Sequence, residues 1–233
     1  MHLPDGFIDA PVSLGAGVVA AGGIGVSLRR AGQATLESRA AMTGLVAAFI
    51  FAAQMLNFPV VSGTSGHLLG GLLAAVLVGP WLGSLAVTIV LVVQCLLFAD
   101  GGISALGLNV VNMAIIPAFA GYLLFWLLRR VLPDTRTGVL GATAVTALLS
   151  VLLAAVAFTV EYALGGNGVV SIGTVAGAMV GVHLVIGIGE AVITTLTVGT
   201  VLAVRPDLVY GAADLPRPAA TDVRRARTTG AVA

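Results

Sequence analysis

Long apolar stretches follow one another through most of the chain, and only short polar segments separate them. Hydrophobic residues make up 58% of the 233 residues and charged residues 9%, whereas a soluble domain carries about 25% charged residues. So few charged side chains cannot cover the surface of a soluble protein of this size. The composition therefore predicts an all-α polytopic membrane protein that crosses the bilayer several times.

Seven segments are predicted to be transmembrane helices, because a span needs about 20 apolar residues. The third is the shortest, and Gly79-Pro80 separates it from the fourth. Because 11 residues alone would not cross the membrane, we expect its helix to run on past Pro80 or the bilayer to be thin there. The seven predicted spans are residues 10–28, 40–56, 68–78, 82–98, 106–128, 139–164 and 173–203.

The arginines predict the orientation of these spans. All 11 basic residues are arginines, and seven spans with the N-terminus outside place every one of them on the cytoplasmic side, as charge bias in short loops requires. Six spans would put Arg129, Arg130 and Arg136 on the opposite side. We therefore expect an outer N-terminus, a transmembrane domain over residues 1–205, and a flexible cytoplasmic tail over residues 206–233.

Two of the three histidines are predicted to lie on the outer side. His2 follows the initiator methionine in "MHLPDGF", and His67 lies in "NFPVVSGTSGHLLGG". No basic n-region precedes an apolar run here, so we expect the terminus to stay uncleaved. The Met1 amine, the His2 amide nitrogen and the His2 Nδ1 then close a five-membered and a six-membered chelate ring on one metal, and His67 is the candidate for a fourth nitrogen. Planar nitrogen coordination favours Ni(II) or Cu(II) over tetrahedral zinc.

The stretches "MHLPDGFIDAPV", "NFPVVSGTSGHLLGG", "GGISALGLNVVNM" and "GIGEAVIT" together resemble the CbiM/NikM family. These are the cobalt/nickel substrate-binding subunits (S components) of energy-coupling-factor (ECF) transporters, and the resemblance covers about residues 1–205. It implies a six-helix core with an extra N-terminal helix, and Ni(II) or Co(II) bound by Met1, His2 and His67 as the transported substrate. It also implies a transmembrane coupling subunit, two cytoplasmic ATPases and a small accessory membrane protein as partners in a prokaryotic cell membrane.

Several other polar residues are candidates for supporting roles. Asn109, Asn112 and Ser65 are candidates for orienting the histidines, because metal-bound histidines usually have such partners; capping and polar packing explain the two asparagines equally well. His183 and Glu190 are seven residues apart and share a face of the last span. We expect His183 to be a hydrogen-bonded core residue, and Glu190 to support helix packing or subunit coupling too deep to bind the metal.

Small residues recur every fourth position along the second span. This spacing allows another helix to approach closely, either from within the chain or, as the family resemblance implies, from the coupling subunit. The four residues are Ala40, Gly44, Ala48 and Ala52.

The sequence contains no P-loop, no H-E-x-x-H motif and no other enzyme signature. The preferred interpretation is therefore a metal-capture subunit whose energy comes from partner ATPases. The alternative is a stand-alone secondary metal permease, although no internal repeat is visible and the interior is expected to offer a path only His183 and Glu190. No feature of the sequence indicates nucleic-acid binding.

Overall fold

The computed structural model describes residues 1–33, 37–60 and 64–215. These residues are almost entirely helical, which confirms the prediction of an all-α polytopic fold. Two-residue strands, β1 (Phe58–Pro59) and β2 (Ser65–Gly66), pair antiparallel and precede the His67 loop. The helices are α1 (Ala10–Gln33), α2 (Glu37–Gln54), α3 (Gly71–Val78), α4 (Pro80–Phe98), α5 (Leu106–Arg129), α6 (Arg136–Gly165) and α7 (Ile172–Val204).

Within the described residues, five helices are long and apolar enough to cross a membrane, and α2 is a shorter apolar helix. The third predicted span is different in kind, because α3 has eight residues and every one of them is buried. It lies inside the bundle and is covered by its neighbours. The count of seven spans and the orientation of the termini stay predictions.

A sharp break separates α3 from α4. Gly79 has a φ of 93°, a value that favours glycine, and Pro80 begins α4 at a position where its missing N–H costs nothing. The two helices then lie so close together that a Cβ on Gly83 would be 2.8 Å from the backbone nitrogen of Ala75. The break predicted at Gly79-Pro80 is therefore confirmed as the boundary between two packed helices.

The N-terminal segment is threaded into the bundle. Ile8 forms an isolated β-bridge with Gly166, and the Asp9 N–H donates to the Gly165 carbonyl at 2.6 Å. The loop between α6 and α7 therefore fixes one end of this segment. The other end, with Met1, lies in the protein interior.

Residues 206–215, which the sequence analysis assigned to the cytoplasmic tail, are folded. They form two short 3₁₀ turns, Pro206–Leu208 and Tyr210–Ala212, with Val209 and Ala212 buried. Arg129 binds Asp214 at 2.9 Å and so attaches this segment to the end of α5. Residues 216–233 lie outside the described residues, and the assignment of a flexible tail there stays a prediction.

The close approach at Gly83 gives a test of the fold. Gly83→Ala should lower the free energy of unfolding by roughly 1–3 kcal/mol, because the new methyl group has only helix backbone to press against. Thermal unfolding in detergent measures the effect. The matched control is Gly141→Ala on α6, where a Cβ meets nothing within 4 Å; equal stability of the two variants would contradict the α3–α4 contact.

Candidate metal centre

Three nitrogen atoms from two distant parts of the chain converge in the interior. The Met1 amine donates a hydrogen bond to His67 Nε2 at 2.8 Å, and His2 Nδ1 lies 3.1 Å from the same Nε2. Met1, His2 and His67 are 0%, 3% and 1% exposed. The two histidines and the terminus, predicted to act together, are therefore brought together by the fold.

These distances match the corners of a planar four-nitrogen site. Metal–nitrogen bonds of about 2 Å place neighbouring corners about 2.8 Å apart and opposite corners about 4 Å apart. The Met1 amine, the His2 amide and the His2 Nδ1 would take three successive corners, because each neighbouring pair belongs to one chelate ring. His67 Nε2 fits the fourth corner, since it lies 2.8 Å from the amine and 3.1 Å from Nδ1.

Backbone hydrogen bonds at Leu3 set the position of the terminus. The Leu3 N–H donates to Asn109 Oδ1 at 2.8 Å, and the Leu3 carbonyl accepts the Gly102 N–H at 2.8 Å. Asp5 Oδ1 also accepts the N–H and the hydroxyl of Ser104, at 2.8 and 2.6 Å. Helix α5 and the loop before it therefore fix the position of the first residues, and in this position the Met1 amine reaches His67.

The imidazole of His67 is oriented by its own loop. Nδ1 lies 2.7 Å from the Leu68 carbonyl oxygen, which accepts hydrogen bonds and cannot donate them. Nδ1 therefore carries the hydrogen, and Nε2 keeps its lone pair toward Met1 and His2. Fixing one ring nitrogen in this way is how proteins usually set the tautomer of a metal-binding histidine.

Asp100 brings a negative charge to the site. Its carboxylate lies 3.2 Å from His2 Nδ1 and accepts a hydrogen bond from Asn57 Nδ2 at 3.2 Å. The hydrogen bond from His2 lowers the pKa of Asp100, so the group is ionised at neutral pH. A carboxylate so close favours a divalent cation in the neighbouring nitrogen site.

Burial leaves the nitrogens unprotonated at neutral pH. Desolvation lowers the pKa of the Met1 amine from 8.0 to about 4, and desolvation also lowers the pKa of His2 and of His67. Metal ligands must bind in their unprotonated forms. The folded site therefore holds the amine and both imidazoles uncharged, and His2 would bind a metal through Nδ1 as the tautomer that carries its hydrogen on Nε2.

The three residues predicted to support the histidines differ in their contacts. Asn109 acts on the backbone of Leu3 and so positions the terminus. Ser65 Oγ lies 3.4 Å from His2 Nδ1. Asn112 instead donates to Glu161 Oε2 at 2.6 Å, so its amide contacts neither histidine.

The contacts that residues on distant helices make with the two histidines and their loop were not predicted from the sequence. Gln94 on α4 is fully buried. Its amide lies close enough to His2 to raise the pKa of that imidazole, but the two side chains do not meet with hydrogen-bond geometry. Glu190 binds the backbone that follows His67. His183, by contrast, is the hydrogen-bonded core residue that was expected, and it donates to the Met179 carbonyl at 2.8 Å within α7. A buried amide or carboxylate in an apolar run was the available signal, but nothing in the sequence shows which loop it contacts.

Among the described residues, no three His, Cys, Asp or Glu side chains gather as a metal site. In the predicted nitrogen site, by contrast, the terminal amine and a backbone amide would supply half of the donors.

Comparisons with known proteins match the chain to metal transport proteins. Residues 2–208 match the CbiM family model, described as the cobalt uptake substrate-specific transmembrane region. The chain is 41% identical over 214 residues to a putative metal transport protein of Haloquadratum walsbyi, covering 90% of this chain and 94% of that protein. It is 38% identical over 209 residues to a putative fused nickel transport protein of Archaeoglobus fulgidus, covering 90% and 68%. A crystal structure of a transition metal transporter superposes with a TM-score of 0.81 at 30% identity, covering 88% of this chain and 93% of that one.

The two asparagines on α5 provide a matched test of the site. Asn109→Leu should weaken nickel or cobalt binding roughly 5- to 150-fold, because it leaves the buried Leu3 N–H unpaired, at a cost of about 1–3 kcal/mol, and loosens the terminus. Asn112→Leu, one helical turn away, should leave the dissociation constant unchanged. Titration calorimetry of both purified variants measures this, and equal losses would show that the Leu3 contact does not position the site.

Proposed function

The chain belongs to the CbiM family of cobalt uptake transmembrane proteins, and from that premise we propose that it captures Ni(II) or Co(II) as the substrate-binding membrane subunit of an ATP-driven importer. The observation that carries the proposal is the convergence of the Met1 amine, His2 Nδ1 and His67 Nε2. Relatives named as nickel and cobalt transport proteins support these two metals as the transported substrate.

In this proposal the metal binds as cargo and is later released. The Met1 amine, the His2 amide and imidazole, and His67 replace its water ligands with four nitrogens, and Asp100 supplies a compensating charge. The amide loses its proton to make the fourth bond. Because Met1, His2 and His67 are buried, the segments that cover them must move for the metal to enter or leave.

The energy for transport comes from partner subunits in this proposal. The family resemblance implies a coupling subunit in the membrane, two ATPases and a small accessory membrane protein. The exposed stripe on α2 supports a docking role, because Ala40, Gly44, Ala48 and Ala52 all point away from the bundle. This exposure favours docking of another subunit over packing against another helix of the same chain, the alternative that the sequence left open.

The N-terminus gives the most direct test of metal capture. An uncleaved tag of several residues before Met1 should abolish the native binding mode, because it moves the amine out of the five-membered chelate ring and off the fully buried position of Met1. The same tag added after Ala233 should have no effect. Absorption spectra and dissociation constants for Ni(II) and Co(II), measured on detergent-purified protein, compare the two. The chelate is falsified if the N-terminally extended protein keeps its affinity and spectrum.

The α2 stripe gives a separate test of coupling. Ala48→Leu should block the approach of a partner helix, so co-purification with the coupling subunit and metal uptake by cells should both fall severalfold. Metal binding by the isolated subunit should not change. The control is Leu45→Ala, also exposed on α2 but outside the stripe. Uptake by Ala48→Leu equal to that of the wild type, or uptake that persists without the ATPases, would favour the stand-alone permease.

A further inference from the structure

Two successive peptide groups after His67 are each hydrogen-bonded at both ends. In the Leu68–Leu69 peptide, the carbonyl oxygen lies 2.7 Å from His67 Nδ1, and the N–H donates to Glu190 Oε2 at 2.6 Å. In the Leu69–Gly70 peptide, the N–H donates to Glu190 Oε1 at 2.7 Å, and the carbonyl accepts from Gln54 Nε2 at 2.7 Å. Side chains of α2 and α7 thus clamp this short loop from both sides.

The first of these peptides connects the carboxylate of Glu190 to the metal-facing ring. A peptide group is planar and stiff, so holding its N–H also holds its carbonyl. That carbonyl receives the Nδ1 hydrogen of His67 and so keeps Nε2 unprotonated and aimed at Met1 and His2. Metal-bound histidines in other proteins commonly donate to a carboxylate directly; here one peptide group lies between the two.

The clamp has little room to shift. Glu190 and Gln54 are 1% and 0% exposed. Gly70 has a φ of 77°, and a Cβ there would lie 2.8 Å from Ile50 of α2. Displacing the loop would leave two backbone N–H groups and a carboxylate buried without partners, which is costly inside a protein.

We propose that Glu190 is a positioning residue for metal binding, which acts on His67 through the Leu68–Leu69 peptide, with Gln54 fixing the next peptide. The inference rests on the proposed function, because it needs His67 to be a metal ligand. Glu190 itself does not touch the metal. In Glu190→Gln an NH₂ group faces a backbone N–H, so one of the two bonds is lost and the His67 ring is released.

A double-mutant cycle tests this assignment. Dissociation constants and absorption spectra for Ni(II) are measured on full-length wild type, Glu190→Gln, His67→Ala and the double variant. Glu190→Gln should weaken binding roughly 10- to 100-fold and shift the absorption band toward that of His67→Ala. In the His67→Ala background the same change should have no further effect. Glu161→Gln is the control, because the hydrogen-bond partner of this carboxylate is Asn112 on α5.

Each other outcome would contradict either the positioning role of Glu190 or the proposed metal site. Equal fold-losses from Glu190→Gln in both backgrounds would mean that Glu190 supports the whole fold and does not act through His67. An unchanged dissociation constant for Glu190→Gln beside a weakened His67→Ala would remove the positioning role alone. An unchanged His67→Ala would remove the proposed metal site itself. Where Glu190→Gln does not yield folded protein, the same cycle with Gln54→Leu decides, and non-additivity with His67→Ala is again the expected result.

Discussion

The buried N-terminal amine is the constraint on which the rest of the site depends. Taking a charged ammonium group out of water is costly, and the fold avoids that cost by lowering the pKa of Met1 to about 4. A neutral amine has a lone pair for a metal, so the burial that would penalise an ordinary terminus prepares this one for binding. The hydrogen bonds at Leu3 make this burial possible, because they fix the chain one residue beyond the chelate.

The sequence predicted those parts of the site that depend on the order of residues and atoms along the chain. Chelate rings follow from the order of atoms in Met1 and His2, and the apolar runs with their arginine bias indicate a polytopic membrane fold. Contacts between distant segments were not predictable in the same way. Glu190 lies 121 residues from Leu69, and both ends of such a pair look like ordinary residues of an apolar run. The direction of the Asn112 side chain, toward Glu161, likewise depends on how α5 packs against α6.

Helix α3 shows how one carboxylate meets two requirements. An eight-residue helix inside a membrane protein leaves polar backbone groups at each end, and these groups need partners where water is absent. Glu190 accepts the N–H groups of Leu69 and Gly70 just before the helix begins, where the helix dipole also favours a negative group. The same bonds fix the loop of His67. One carboxylate therefore satisfies the backbone at the start of α3 and fixes the loop that carries a proposed metal ligand.

Helix α2 joins the two proposed activities of the chain. Val46, Ile50 and Gln54 form its buried face, and this face ends in the hydrogen bond from Gln54 to the Leu69 carbonyl. The stripe of Ala40, Gly44, Ala48 and Ala52 lies on the exposed face of the same helix. A helix is stiff over this length, so a partner that tilts α2 by its exposed face also moves Gln54 relative to Glu190 on α7. The hydrogen bonds that hold the His67 loop therefore lie where a force applied by the proposed coupling subunit would reach the proposed metal site.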